Sequence, residues 1–301
     1  MLGEYNIMNS LEKKQITYGQ RLKIAFQYAM PQIYLTQIAG WFANKRWGAV
    51  THFVIKMFAK KYNVHMAEAA KPNFSDYVTF NEFFIRQLKE YARPINQNTD
   101  ALCLPADGKI SQCGHIDDEL LLQAKGHSFS LRDLLAGDEE LTRLFKDGEF
   151  VTTYLSPRDY HRVHMPCNGT IRKMIYVPGE LFSVNPFLNT HIPNLLARNE
   201  RVICLFDTDF GPMVQILVGA TITASISTVW EGVINPPRTG DIRTWTYEGQ
   251  SAVSLAKGQE MGAFQLGSTV INLFPKNAVK LADYLQVDTV TRVGEILAYK
   301  K

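Results

Sequence analysis

Phe264-Gln265-Leu266-Gly267-Ser268-Thr269-Val270-Ile271-Asn272-Leu273-Phe274 is the stretch on which the reading of this chain turns. It places a Gly-Ser bond between two runs that both have strand character. A glycine there permits backbone conformations closed to other residues, so its carbonyl can be held within reach of the neighbouring serine hydroxyl. Gly-Ser-Thr is also ordinary strand or turn sequence, so the weight falls on the rest of the chain. Outward from this stretch, further strands are expected at Phe150–Tyr154, Ile171–Val177, Val202–Phe206, Met213–Ile222 and Ile296–Tyr299, separated by Gly, Pro, Asn and Asp. One helix is expected near Ser130–Leu135, with Ser130 as its N-cap. Residues up to about Tyr91 read as helical, and Arg93-Pro94-Ile95-Asn96-Gln97-Asn98 reads as a linker because Pro and Asn break both periods. The expected fold is α+β: a basic helical region, residues 1–92, then a β-rich body, residues 93–301.

The net charge of +3 conceals an asymmetry. Lys13 to Ala67 contains no Asp or Glu but holds nine cations, Lys13, Lys14, Arg21, Lys23, Lys45, Arg46, Lys56, Lys60 and Lys61. Such a segment points to an anionic partner. Aromatic and aliphatic bulk decides which. On a helical wheel Trp47, Val50, Val54, Met57 and Phe58 share one side, opposite Lys45, His52, Lys56 and Lys60. No run reaches the ~18 apolar residues needed to span a bilayer, so helices lying on an anionic leaflet are expected. A helical cap with a solvated basic face is the plainer alternative. Nucleic acid is disfavoured, since no recognition motif accompanies the charge. No secretory signal is read at the N-terminus. Cys103, Cys113, Cys167 and Cys204 form no Cys-x-x-Cys pair, which argues against a zinc site or a disulfide framework.

Three islands carry the chemical vocabulary. In Pro105-Ala106-Asp107-Gly108-Lys109, a tight turn would fix the carboxylate, although Asp in such turns commonly binds its own backbone. Ser156-Pro157-Arg158-Asp159-Tyr160-His161-Arg162-Val163-His164 would open with a short helical turn, Ser at its N-cap and Asp at N3. On such a turn His161 and His164 share a face; in a strand they point apart. The third island is Gly267-Ser268. A serine hydroxyl needs a base to take its proton, and a histidine base works best beside an orienting carboxylate. Asp107, His164 and Ser268 supply that set.

Together with Lys125-Gly126-His127-Ser128-Phe129-Ser130, Asn199-Glu200-Arg201 and Gly258-Gln259-Glu260-Met261-Gly262, these islands resemble the bacterial phosphatidylserine decarboxylases, most closely the short membrane-associated form of Gram-negative bacteria. The resemblance runs from the basic helices to near the C-terminus. It implies that His164, oriented by Asp107, deprotonates Ser268, whose oxygen attacks the Gly267 carbonyl. The bond between 267 and 268 is then severed, and Ser268 becomes an N-terminal pyruvoyl group, the covalent cofactor. No metal and no pyridoxal phosphate are implied. Residues 1–267 and 268–301 would remain together as a heterodimer of large and small chains, with further oligomerisation left open. Phosphatidylserine would be decarboxylated to phosphatidylethanolamine, with His161 as the candidate proton donor and Lys125, Arg158 or Arg162 as candidate head-group clamps. The expected location is the cytoplasmic side of the inner membrane, as a peripheral protein. Two other classes stand beside this reading: a membrane-associated serine hydrolase, although Ser268 lies in no Gly-x-Ser-x-Gly elbow, and a non-enzymatic domain that grips anionic lipid.

Overall fold

The computed structural model describes residues 17–124, 127–222, 225–236, 238, 240–265 and 267–301, which divide into two compact units, one ending at Met30 and one beginning at Pro31. The first unit contains helix α1 (Tyr18–Ala29). Its start is set by a reciprocal cap: the Thr17 hydroxyl accepts from the Gln20 amide while the Gln20 side chain accepts from the Thr17 amide.

The second unit opens with α2 (Gln32–Ala43), α3 (Ala49–Tyr62) and α4 (Phe80–Phe84), after which no helix is formed before the β-rich body. Helix α2 is tied to that body by backbone donors: the Leu181 amide to Gln32 Oε1 at 2.7 Å and the Ile222 amide to Thr36 Oγ1 at 3.2 Å. Ala43, Ile55, Ala59, Tyr77, Phe80, Phe83 and Phe84 form a separate small core, against which Val54 and Phe58 pack. The expected apolar side of α3 is therefore split. Val54 and Phe58 face this core, while Val50, Phe53 and Met57 are exposed, flanked by exposed Lys56, Lys60 and Lys61.

The body is built from antiparallel strands. Those that position the site are β1 (Gly108–His115), β2 (Glu149–Leu155), β3 (Arg162–His164), β4 (Gly169–Val177), β5 (Arg201–Thr208), β6 (Gly211–Val218), β7 (Ser225–Thr228), β8 (Glu260–Gln265) and β9 (Ser268–Phe274). In the large sheet the order β4-β5-β6-β9-β2-β1 is extended by Arg243–Thr246 at one end and Val290–Thr291 at the other, with Ser254–Leu255 paired on β4. A second sheet runs Gly232–Val233, β7, β8, β3. Strand β9 is buried along its whole length and pairs with β2 from Ser268↔Leu155 to Phe274↔Glu149 and with β6 from Thr269↔Val218 to Leu273↔Val214. Its even-numbered residues Val270 and Phe274 share the main core with Val163, Met165, Ile226, Met261 and Phe264 from the second sheet and its neighbours. By the two-residue alternation of a strand, Ser268 faces the same interior.

The strand expectations and the helix near Ser130 hold with small shifts of boundary, whereas the helical reading up to about Tyr91 holds only in α1 to α4: between α3 and α4 the chain forms two short 3-10 turns, it is irregular from Ile85 to Tyr91, and residues 1–16 lie outside the described residues. Ser130 caps the helix Leu131–Leu134, accepting from the Asp133 amide at 3.3 Å. The strand expected to reach Ile222 stops at Val218. Two local readings are corrected. Ser156–Tyr160 is a turn and not helical: Asp159 reaches back, accepting from the Ser156 amide and hydroxyl, both at 2.7 Å. The segment after Arg93 is no loose linker. The Asn96 amide donates to the Gly294 carbonyl at 3.0 Å, and Ile95 lies against Gly258.

Candidate active site

The sequence stretch read as two strand runs is a crossover between sheets. β8 ends at Gln265 in the second sheet, and β9 begins at Ser268 in the large one. Gly267, in the link, has φ of +67°, a conformation that costs an L-residue roughly 1–2 kcal/mol and glycine almost nothing. Ser268 is fully buried, and its hydroxyl has no hydrogen-bond partner among the described residues. Burying an unpaired hydroxyl costs about 1–3 kcal/mol.

His161 flanks the crossover on both sides. Its backbone carbonyl accepts from Phe264 of β8 at 3.0 Å, and its Nε2 lies 3.1 Å from the carbonyl of Ser156, which follows the register partner of Ser268. A carbonyl can only accept, so Nε2 carries the proton and Nδ1 the free lone pair. Nδ1 is buried without a partner. The ring stacks on Phe84 at 4.1 Å between centroids, bringing α4 to the site. Burial foremost, with the positive charge of Arg86 next, drives the pKa of His161 from 6.5 down to about 3, so the ring is neutral.

His164, three residues on in β3, points elsewhere. Its Nδ1 lies 2.9 Å from the Gly258 carbonyl, to which it donates, and its Nε2 accepts from the Tyr160 hydroxyl at 3.0 Å. Burial also lowers its pKa. The His164 amide donates to the Pro105 carbonyl at 2.8 Å, tying β3 to the turn that carries Asp107. Asp107 itself is buried and forked by Arg93, whose Nε lies 2.9 Å from both carboxylate oxygens and whose Nη2 donates to Oδ2; the Val293 amide adds a bond to Oδ1 at 2.9 Å. Arg93 is shared with Glu68 at 2.9 Å. Among the described residues no hydrogen bond joins Asp107 to His164. Their coupling is electrostatic, with the carboxylate favouring the protonated ring.

Of the expected clamp residues, Arg162 is committed to Glu260 (2.7 and 2.9 Å) and the Ile85 carbonyl, Arg158 is exposed beside Asp159, and Lys125 lies outside the described residues. The Asn199-Glu200-Arg201 motif is structural. Asn199 ties Phe182 to Gly219, Glu200 is buried against Tyr176 and Arg238, and Arg201 donates to the carbonyls of Asp133, Leu134, Ala197 and Asn199. Two site residues escaped the sequence reading, Arg93, the partner of Asp107, and Phe84, which stacks on His161; Gly258 was read only as part of a motif, without its carbonyl's hold on the His164 ring. Tyr160 carried a signal too, four residues from His164 within the same island.

The family model described as phosphatidylserine decarboxylase matches residues 80–299, and a second, described as PSD, matches residues 22–63. A protein described as phosphatidylserine decarboxylase proenzyme from Pasteurella multocida is 76% identical over 295 residues, covering 98% of this chain and all of the relative. Proteins of the same description from Haemophilus influenzae and Histophilus somni are 76% and 72% identical, covering 95% and 98% of this chain and 98% and 100% of theirs. A fold with an unpaired buried serine at a glycine crossover, matched at this identity along nearly its whole length, belongs to the phosphatidylserine decarboxylase family.

Proposed function

We infer that this chain is a proenzyme that severs its own Gly267–Ser268 bond and then decarboxylates phosphatidylserine to phosphatidylethanolamine. The observation that carries the reading is the buried, unpartnered Ser268 hydroxyl beside a glycine at φ +67°. The Ser268 oxygen attacks the Gly267 carbonyl, and the peptide becomes an ester as the proton passes to nitrogen. Elimination across the Cα–Cβ bond of residue 268 frees Gly267 as a carboxylate terminus. Water then replaces the resulting enamine nitrogen, releasing ammonia and leaving a pyruvoyl terminus. The crossover suits this chemistry, because the cut falls between two strands that are each paired on both sides. Both ends therefore stay in register, and the large and small chains remain one folded heterodimer.

The pyruvoyl group supplies the carbonyl that draws off electrons as CO2 departs. The rest falls to the chain. Asp107 and His164 form the base for cleavage, Asp107 acting through the field it exerts on the ring while Arg93 holds it in place. His161, buried against Phe84, takes up at Nδ1 a proton shed by the substrate amine as it condenses, and returns it to the carbon from which CO2 has left. A second reading is favoured by one observation: both His164 nitrogens are engaged, whereas Nδ1 of His161 keeps a free lone pair. In that reading His161 takes the Ser268 proton.

Attachment is peripheral, on the cytoplasmic side of the inner membrane, through Val50, Phe53 and Met57 of α3 and Tyr34, Ile38 and Trp41 of α2, all exposed. Among the described residues no helix is long and apolar enough to cross a membrane. A two-tailed lipid leaves a bilayer at a cost of about 0.8 kcal/mol per methylene, so the enzyme must go to it.

Denaturing electrophoresis with intact-mass measurement tests the whole. Wild-type protein is expected as two chains, 1–267 and 268–301, the smaller blocked to Edman sequencing, and Ser268→Ala as one inactive chain. An unbroken wild-type molecule that still releases CO2 would overturn the reading.

A further inference from the structure

The helical region contributes a cation for which the cleavage and proton-transfer roles above have no use. Arg86 follows α4 and is 4% exposed. A guanidinium that deep is ordinarily paired with a carboxylate. Among the described residues, none lies within ion-pair distance of Arg86. The two acidic neighbours that influence it are already engaged, Asp107 by Arg93 and Asp159 by the amide and hydroxyl of Ser156. Arg86 Nη2 reaches only the carbonyls of Arg158 (3.1 Å) and Asp159 (3.4 Å), and its Nε is buried with no partner. Arg201 shows the contrast: equally buried, it has its Nε, Nη1 and Nη2 all on carbonyls.

Arg86 borders a cavity of about 730 Å³ that it shares with Asp107, Tyr160, Ser156 and Arg158. The cavity wall thus includes the residue that binds His161 and follows the partner of Ser268. We propose that Arg86 is the receptor for the phosphodiester of the substrate head group. The inference rests on the decarboxylase reading and adds to it the residue that holds the lipid.

The chemistry selects the phosphodiester over the carboxylate. A cation bound to the carboxylate would stabilise a charge that disappears as CO2 leaves, which raises the barrier. The phosphodiester keeps its charge throughout, so holding it strengthens binding without opposing the reaction. A planar guanidinium whose Nε–H meets no acceptor among the described residues has a donor left for a phosphate oxygen. Burial lowers the pKa of Arg86, as it does that of any buried cation with no carboxylate against it.

The test uses purified wild-type, Arg86→Gln and Arg86→Lys proteins. It measures self-cleavage on gels, turnover of dihexanoyl phosphatidylserine, and inhibition by glycerophosphoethanolamine (a phosphodiester without a carboxylate) and by serine (a carboxylate without a phosphodiester). Arg86→Gln is expected to cleave, with KM raised about ten- to hundredfold as for loss of a charged hydrogen bond, kcat affected far less, and inhibition by glycerophosphoethanolamine lost. Arg86→Lys should fall between the two. Unchanged KM and inhibition would make Arg86 a purely structural tie, and selective loss of serine inhibition would assign it to the carboxylate; either overturns the proposal. Should Arg86→Gln fail to fold or cleave, crystals of cleaved wild-type enzyme soaked with glycerophosphoethanolamine decide: phosphate oxygens at hydrogen-bond distance from Arg86 support the proposal, and a diester bound elsewhere, or not at all, sinks it. Failure of wild-type protein to release CO2 would instead refute the decarboxylase reading itself.

Discussion

Asp107 shows how far a catalytic label can be read from one side chain. In Pro-Ala-Asp-Gly it is a turn aspartate; in the folded chain it is a buried anion held by a fork from Arg93. Replacing Arg93 with Met should strand that carboxylate and cost about 3–5 kcal/mol, read from the denaturation midpoint. His161 gives a pH signature. Its folded pKa of about 3 lies below its ordinary 6.5, so between these values the unfolded chain binds a proton that the folded chain refuses. Its contribution to stability is therefore complete above pH 6.5 and is lost as pH falls towards 3, with a slope of up to about 1.4 kcal/mol per pH unit. His161→Asn should flatten the fall of Tm across that window, and an unchanged slope would show that other groups set it. The same variant separates the two histidine roles. If His161 serves only decarboxylation, His161→Asn cleaves and His164→Asn does not; if His161 takes the Ser268 proton, the pattern reverses.

Elements, more than single residues, set where the bond can break. Phe264 to Phe274 reads as two neighbouring strand runs, and these belong to different sheets, with Gly267 at positive φ in the link. Gly258 has a comparable task in the loop before β8. At φ +79° its missing Cβ would lie 2.6 Å from Ile95 Cγ1, and its carbonyl fixes the His164 ring. Gly258→Ala is expected to destabilise the fold by about 1–3 kcal/mol and to slow self-cleavage, visible as uncut chain on a gel. Normal cleavage with full stability would show that the loop yields without moving the carbonyl. Helical periodicity in α3 was legible, but not its division of labour. One apolar row was expected, whereas Val54 and Phe58 serve the small core and Val50, Phe53 and Met57 face outward. Which apolar side chain meets which neighbour depends on where Phe80, Phe83 and Phe84 are brought by the chain between.

For the molecule as a whole, the exposed apolar row and its flanking lysines belong on one surface. Changing Val50, Phe53 and Met57 together to Ser removes enough apolar area to weaken binding to phosphatidylserine vesicles at least tenfold by cosedimentation, at about 25 cal/mol per Å². Cleavage into two chains should persist, since these side chains are exposed. Undiminished vesicle binding would move the membrane contact elsewhere.

The amino-acid order alone determined the α+β outline, the main strands, the basic apolar N-terminal third and the three islands of chemistry, because each rests on patterns a few residues long. Folding decided the rest: that Asp107 answers to Arg93, that His161 lies under Phe84 while His164 turns to Gly258, and that Arg86 is buried with no counter-ion among the described residues. Those partners are separated by as many as 94 positions along the chain, as His164 is from Gly258. No local period encodes such a meeting. It follows from how the strands of two sheets, and the segments between them, pack in the folded chain.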